Sequence, residues 1–235
     1  MVTNMAAKRT CFVFMAGFVS HKDSLSLIKQ AIEGLGHTAI LTHFWGDRSV
    51  TDFSKLTIQD CMDGIEELIT PLTKQFDEVV GIGVSISGAL FLEYAKTHHD
   101  LKAVVSIGTP FKVENKWLIN IGFAVYPVVK FLINHIPKYS SAEMQPLLAS
   151  KVIVNYFYKD FPKNLGEITT PVLMLHGEED TVTDGSVLPR YLATFGSVHK
   201  ELVFVPHADH VVNYNADVIV SRTLQFLSHV EKDLV

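Results

Sequence analysis

Short, apolar, β-branched runs alternate along this chain with segments of helical spacing, and that alternation narrows the possible folds more than any other feature. The runs lie at residues 10–16, 38–42, 78–82, 103–107, 172–175 and 202–205. Strands covered on both faces of a parallel sheet have this character, because neither face meets water. Between them, Leu25, Ile28, Ala31, Ile32 and Leu35 mark one helix, stopped by Gly34 and Gly36. Ile65, Leu68, Ile69 and Leu72 mark a second, and Leu90, Leu92, Tyr94 and Ala95 a third. Ile219, Leu224, Phe226 and Leu227 mark a helix near the C-terminus. The pattern predicts an α/β fold with a mostly parallel central sheet, right-handed connections and flanking helices.

The alternation lapses between about residues 110 and 168, a stretch rich in Phe, Tyr, Ile and Pro with no clean strand. It reads as a small helical cap inserted into one domain spanning 1–235. Within it, residues 117–129 carry no charge before Lys130 interrupts. A membrane-crossing helix needs about 20 apolar residues, and Pro127 breaks this run, so stable membrane insertion is not expected. The formal net charge of −5 gives no electrostatic footing for nucleic acid.

Cys11 and Cys61 are too few for a disulfide framework and sit in no Cys-x-x-Cys or His-rich cluster, so they read as reduced, packed thiols. Lys8 and Arg9 before the apolar run at 11–19 imitate a short leader. No Ala-x-Ala-like site closes the run, and Lys22 and Asp23 follow. The run is better used as a first buried strand, and a cytoplasmic protein is expected. A homodimer is left open.

In open α/β sheets, ligands bind beyond the carboxyl ends of the strands, so the residues just after each run carry the chemistry. After 78–82 comes Gly83-Val84-Ser85-Ile86-Ser87-Gly88, leading into a helical segment. A serine hydroxyl is a weak nucleophile and must be exposed beside a base. A sharp strand-to-helix turn exposes it, and small residues two before and two after let strand and helix pass closely. Gly81 and Gly83 also begin like a dinucleotide loop, but residue 86 is Ile where the third glycine would fall.

After 172–175 comes His176-Gly177-Glu178-Glu179-Asp180. Asp180, three residues past Gly177, is the favoured acid, with Glu179 as the alternative and Glu178 a solvated loop charge. After 202–205 come His207 and His210. His210, a few residues past the strand and just before the last helix, is the favoured base over His207. The order serine, acid, histidine is the one this type of fold uses. An acyl-transfer site also needs donors for a developing oxyanion. The N–H of Ile86 is one candidate, and the N–H of Phe18, after the tight turn allowed by Gly17, is the other. No His-x-x-x-His or His-Glu-x-x-His spacing suggests a metal, and no cofactor is expected.

With these motifs in hand, the whole chain resembles the α/β-hydrolase superfamily, and within it small carboxylesterases and monoacylglycerol lipases. Ala16-Gly17-Phe18 stands where that group has His-Gly-Phe, and residues 83–88 where it has Gly-x-Ser-x-Gly-Gly. Gly177-Glu178-Glu179-Asp180 resembles its Gly-x-x-Asp loop, and Asp209-His210-Val211-Val212 its Gly-His-Val-Ile loop. Ala16, Ser87 and Asp209 depart from the pattern. The resemblance implies a cap at 110–168 and catalysis by Ser85, Asp180 and His210. The substrate it implies is a small-molecule carboxylic ester of short to medium acyl chain. Phe111, Trp117 and Tyr126 in the cap, with Gly17, are candidate substrate contacts; Ile121, Phe123, Phe131, Tyr139, Met144 and Tyr156 add to its apolar character. A monoacylglycerol lipase, a thioesterase, a carbon–carbon bond hydrolase and a non-catalytic binding member of the fold are the competing readings.

Overall fold

A computed structural model describes residues 8–17, 25–43, 56–111, 156 and 161–232. Six strands form one sheet in which every neighbouring pair is parallel: β1 (Thr10–Met15), β2 (Thr38–Thr42), β3 (Glu78–Val84), β4 (Ala103–Ile107), β5 (Val172–Gly177) and β6 (Lys200–Val205). Their spatial order is β2-β1-β3-β4-β5-β6. The described helices are α1 (Ser26–Gly34), α2 (Ile58–Gln75), α3 (Ile86–Tyr94), α4 (Leu188–Ala193) and α5 (Ala216–Lys232). None of them is long and apolar enough to cross a membrane.

The sheet divides the core into two clusters, and β1 shows how. Cys11, Val13 and Met15 point into one cluster with Cys61, Ile65 and Ile69 of α2, the apolar length of α3, and Leu188 and Leu192 of α4. Phe12 and Phe14 point into the other with Ile28 and Ile32 of α1 and Ile219, Phe226 and Val230 of α5. The period of two sends alternate side chains to opposite faces, and both faces are covered.

The same arrangement locates the functional end of the sheet. From β1 the chain moves outward to β2 through α1, whereas the later crossovers run the other way through α2, α3 and α4. Right-handed connections in opposite directions must lie on opposite faces, as the two clusters record. The direction therefore reverses between β1 and β3. The crevice at such a switch point, beyond the strands' carboxyl ends, is where ligands bind. Gly17 follows β1 there and Ser85 follows β3.

Three strands extend further than the hydrophobic runs. β3 continues through Gly83 and Val84, and β5 through His176 and Gly177. β6 begins at Lys200 and Glu201, because an edge strand is half-exposed and tolerates polar residues. The short α4 went unread: it is a helix of two turns opened by a proline after a 3₁₀ turn. Of the stretch 110–168, residues 112–155 and 157–160 lie outside the described residues, so Trp117 and Tyr126 do as well.

Its described ends are fastened to the C-terminal end of α3. Buried Lys96 donates to the Glu93 carboxylate at 2.7 Å and to the Phe161 carbonyl at 2.9 Å, and Tyr156 donates its hydroxyl to Glu93 at 2.7 Å. Phe111 packs on Phe161 with ring centroids 5.1 Å apart. Removing one partner of a buried pair leaves an uncompensated charge and is costly. Lys96→Met therefore leaves Glu93 short of its cation and is expected to lower unfolding free energy by about 3 kcal/mol. A urea titration showing less than about 1 kcal/mol would mean the pair is solvated in solution.

Candidate active site

The elbow after β3 is built from close approaches. Ser85 takes φ 55° and ψ −122°, a conformation that side chains rarely adopt. Its N–H donates to the Ile107 carbonyl at 2.6 Å, which ties the turn to β4. A Cβ on Gly83 would lie 2.4 Å from the Gly88 nitrogen and the Ser87 carbonyl, so strand and helix touch through backbone alone. A Cβ on Gly88 would lie 2.3 Å from the Thr109 hydroxyl. The Ile86 N–H is the first of α3 and belongs to the opening turn, whose N–H groups lack intrahelical acceptors.

Gly17 sits against this elbow, its would-be Cβ 3.3 Å from the Ser85 Cβ and the Val84 carbonyl. Phe18, the second expected oxyanion donor, lies outside the described residues. Ser87, a departure from the family pattern, is fully buried and donates its hydroxyl to the Ala16 carbonyl. It thereby couples the first turn of α3 to the end of β1.

The loop after β5 is stapled to the end of β6 and the loop beyond it. Glu178 donates its N–H to Val205 at 3.0 Å, and Glu179 to Ala208 at 2.9 Å. A Cβ on Gly177 would lie 2.1 Å from the Asp209 carbonyl. Asp209, another departure, accepts the Val211 N–H at 3.0 Å and the Asn213 N–H at 2.8 Å, while its own N–H donates to the Asn213 side chain at 3.1 Å. The carboxylate closes the turn that follows His210.

These supports bring Ser85, His210 and Asp180 into one hydrogen-bonded chain. His210 Nε2 lies 2.9 Å from Ser85 Oγ, and His210 Nδ1 lies 2.8 Å from Asp180 Oδ2. Asp180 has no exposed side-chain area, whereas His210 retains 17%. Thr183 donates its hydroxyl to Asp180 Oδ2 at 2.7 Å, and the N–H groups of Val182 and Thr183 donate to Oδ1 at 2.7 and 3.0 Å. Burial by itself pushes the carboxyl pKa up. The hydrogen bonds from His210 and Thr183 outweigh it and hold Asp180 well below the usual carboxylate range.

The alternative acid and base are apart from this chain. Glu179 accepts from His207 Nδ1 at 3.2 Å, and both side chains are exposed, His207 by 92%. Phe111, expected as a substrate contact, stands where the 110–168 stretch leaves β4. It is 3% exposed, with its ring held by Phe161, Tyr191 and Phe195. Four aromatic rings meet there.

One supporting residue was not read from the sequence. Gly108 follows β4 at φ +58°, and a Cβ there would lie 2.1 Å from the His210 carbonyl and 3.2 Å from His210 Nδ1. The positive φ and the contact both demand glycine, yet a lone glycine after a strand carries no such label. Among the described residues, no cluster of three or more His, Cys, Asp or Glu could hold a metal ion.

The fold and this geometry define the class: the chain has the α/β-hydrolase fold. A bromoperoxidase from Bacillus anthracis superimposes with a TM-score of 0.73 at 16% identity, covering 94% of this chain and 92% of that one. The monoacylglycerol lipase of Paleococcus ferrophilus gives a TM-score of 0.66 at 14% identity, with 93% and 94% covered. In sequence, the chain is 23% identical over 229 residues to the thermostable monoacylglycerol lipase of Bacillus sp. (strain H-257), covering 90% of this chain and 88% of that protein. No protein-family profile matches the chain.

Two outcomes test the site as built. Ser87→Ala removes the donor of a fully buried hydrogen bond and is expected to cost about 1–3 kcal/mol in chemical denaturation; a neutral substitution would show that the Ala16 carbonyl is satisfied elsewhere. The depressed pKa of Asp180 stabilises the fold above the ordinary carboxylate range, near pH 4, and that contribution fades as pH falls toward the folded value. The difference in melting temperature between the wild type and Asp180→Asn should therefore be largest above about pH 4 and shrink below it. A difference independent of pH would contradict an ionised, buried Asp180.

Proposed function

We propose that this protein is a serine hydrolase that cleaves carboxylic esters through an acyl-enzyme. One observation carries the reading: Ser85 Oγ lies 2.9 Å from an imidazole whose other nitrogen lies 2.8 Å from a buried carboxylate. Ser85 attacks the ester carbonyl while His210 takes its proton. His210 then gives that proton to the departing alcohol. Asp180 keeps the imidazole in the tautomer that presents Nε2 to Ser85, and it stabilises the imidazolium without taking the proton. Ile86 N–H receives the oxyanion, with Phe18 N–H as the second donor. Water, activated by His210 in its turn, releases the acid and restores Ser85.

An ester substrate is supported by the relatives, two of which are monoacylglycerol lipases. Those relatives favour a second reading with the same machinery, in which the leaving alcohol is glycerol. Short- to medium-chain acyl groups follow from the apolar sequence of 110–168, taken as a cap within a single domain. Cys11 and Cys61 are both buried and not joined in a disulfide, in keeping with a cytoplasmic enzyme.

Purified protein assayed on nitrophenyl esters, monoglycerides, acyl-CoA and ring-cleavage diketones is expected to turn over esters or monoglycerides fastest. Ser85→Ala should lower kcat by about 10⁴-fold or more. Wild-type rates in Ser85→Ala would overturn the assignment. Turnover of diketones with none of esters would replace it with carbon–carbon bond hydrolysis.

A further inference from the structure

His176 occupies the second-last position of β5 and is 2% exposed. Its Nδ1 has no hydrogen-bond partner, alone among buried side-chain nitrogen and oxygen atoms of the described residues. Its Nε2 lies 3.7 Å from Asp180 Oδ2, the same oxygen that binds His210 Nδ1. That distance is beyond a hydrogen bond, but in a buried site a ring N–H and a carboxylate still interact strongly as dipole and charge. Gly185 presses against the ring, since a Cβ there would lie 2.5 Å from Nε2. The Phe204 ring of β6 meets it edge to face at 5.8 Å. The imidazole is therefore fixed in place.

The tautomer follows from the neighbours. A proton on Nδ1 would leave an unpaired buried donor there and point the Nε2 lone pair at a carboxylate. A proton on Nε2 places the positive end of the ring dipole toward Asp180 and leaves only an unused lone pair. The titratable groups facing the ring are Asp180 and Asp184 from the acid loop and His210 from the base loop, while β6 offers Phe204. Burial holds the ring neutral; attraction by Asp180 opposes this, His210 reinforces it and Asp184 opposes it.

We propose that His176 is a positioning residue for the Ser85–His210–Asp180 chain. Its Nε2–H draws on the shared Asp180 oxygen and competes with the His210 ring for it, so that its removal changes how Asp180 holds His210. The proposal rests on the reading of Ser85 as a nucleophile. It differs from a packing role in predicting a shift along the pH axis and not merely a loss of stability.

The test is the rate of Ser85 labelling by a fluorophosphonate as a function of pH, which needs no knowledge of the natural ester. In His176→Phe, Asp180 acts on His210 undiluted, so the acid limb of the labelling profile should move up by about half a pH unit. His176→Asn, whose shorter amide withdraws the donor, should move it in the same direction. His176→Gln can return an N–H to the Nε2 position and should restore the wild-type limb. If the Phe variant fails to fold, the Asn and Gln variants decide the question alone. Coincident acid limbs in all folded variants would overturn the role of His176 while leaving the serine hydrolase intact. No labelling of wild-type Ser85 at any pH would overturn both.

Discussion

An ionised carboxylate with no exposed side-chain area is expensive, and much of this molecule's functional end is arranged around Asp180. Four donors surround it: the His210 ring, the Thr183 hydroxyl and two backbone N–H groups. To supply them, the loop after β5 must turn back on itself and the loop after β6 must arrive beside it. That is why Gly177 has no room for a side chain and why backbone bonds staple Glu178 and Glu179 to the end of β6 and the loop after it. The charge then fixes His210, and His210 reaches Ser85.

The opposite side of the site depends on a backbone that few sequences can adopt. Ser85 stands at positive φ because β3 and α3 approach within contact of bare backbone at Gly83 and Gly88. Such strain persists only where surrounding structure imposes it, and here the Ile107 carbonyl, Ser87 and the buried first two turns of α3 do so. Two residues that break the family pattern serve as fasteners. Ser87 holds the end of β1, and Asp209 closes the turn after His210.

Much of this was legible in the sequence, for physical reasons that also explain what was not. Parallel strands covered on both faces are continuous apolar runs, so β2 and β4 were read to the residue. Strand ends were missed where glycine or histidine replaced the apolar signal, as at Gly83 and at His176-Gly177. Ser85, Asp180 and His210 could be singled out because each follows a strand in a set order, and they lie within hydrogen-bond reach of one another. Gly108 could not, since its reason for being glycine is a contact with His210, distant in sequence. For Phe111 the sequence could not separate two roles, since aromatic residues that pack an insertion and those that line a pocket are the same residue types.

The central claim is that the hydroxyl of Ser85 becomes acylated during turnover. Acid quenching of the protein within the first turnovers of a nitrophenyl ester, followed by peptide mass mapping, tests it directly. The account predicts the mass of the acyl group on the peptide bearing Ser85, and its absence when His210 is replaced by alanine. Rapid ester turnover with the acyl group on another residue, or turnover undiminished in the His210→Ala protein, would contradict it.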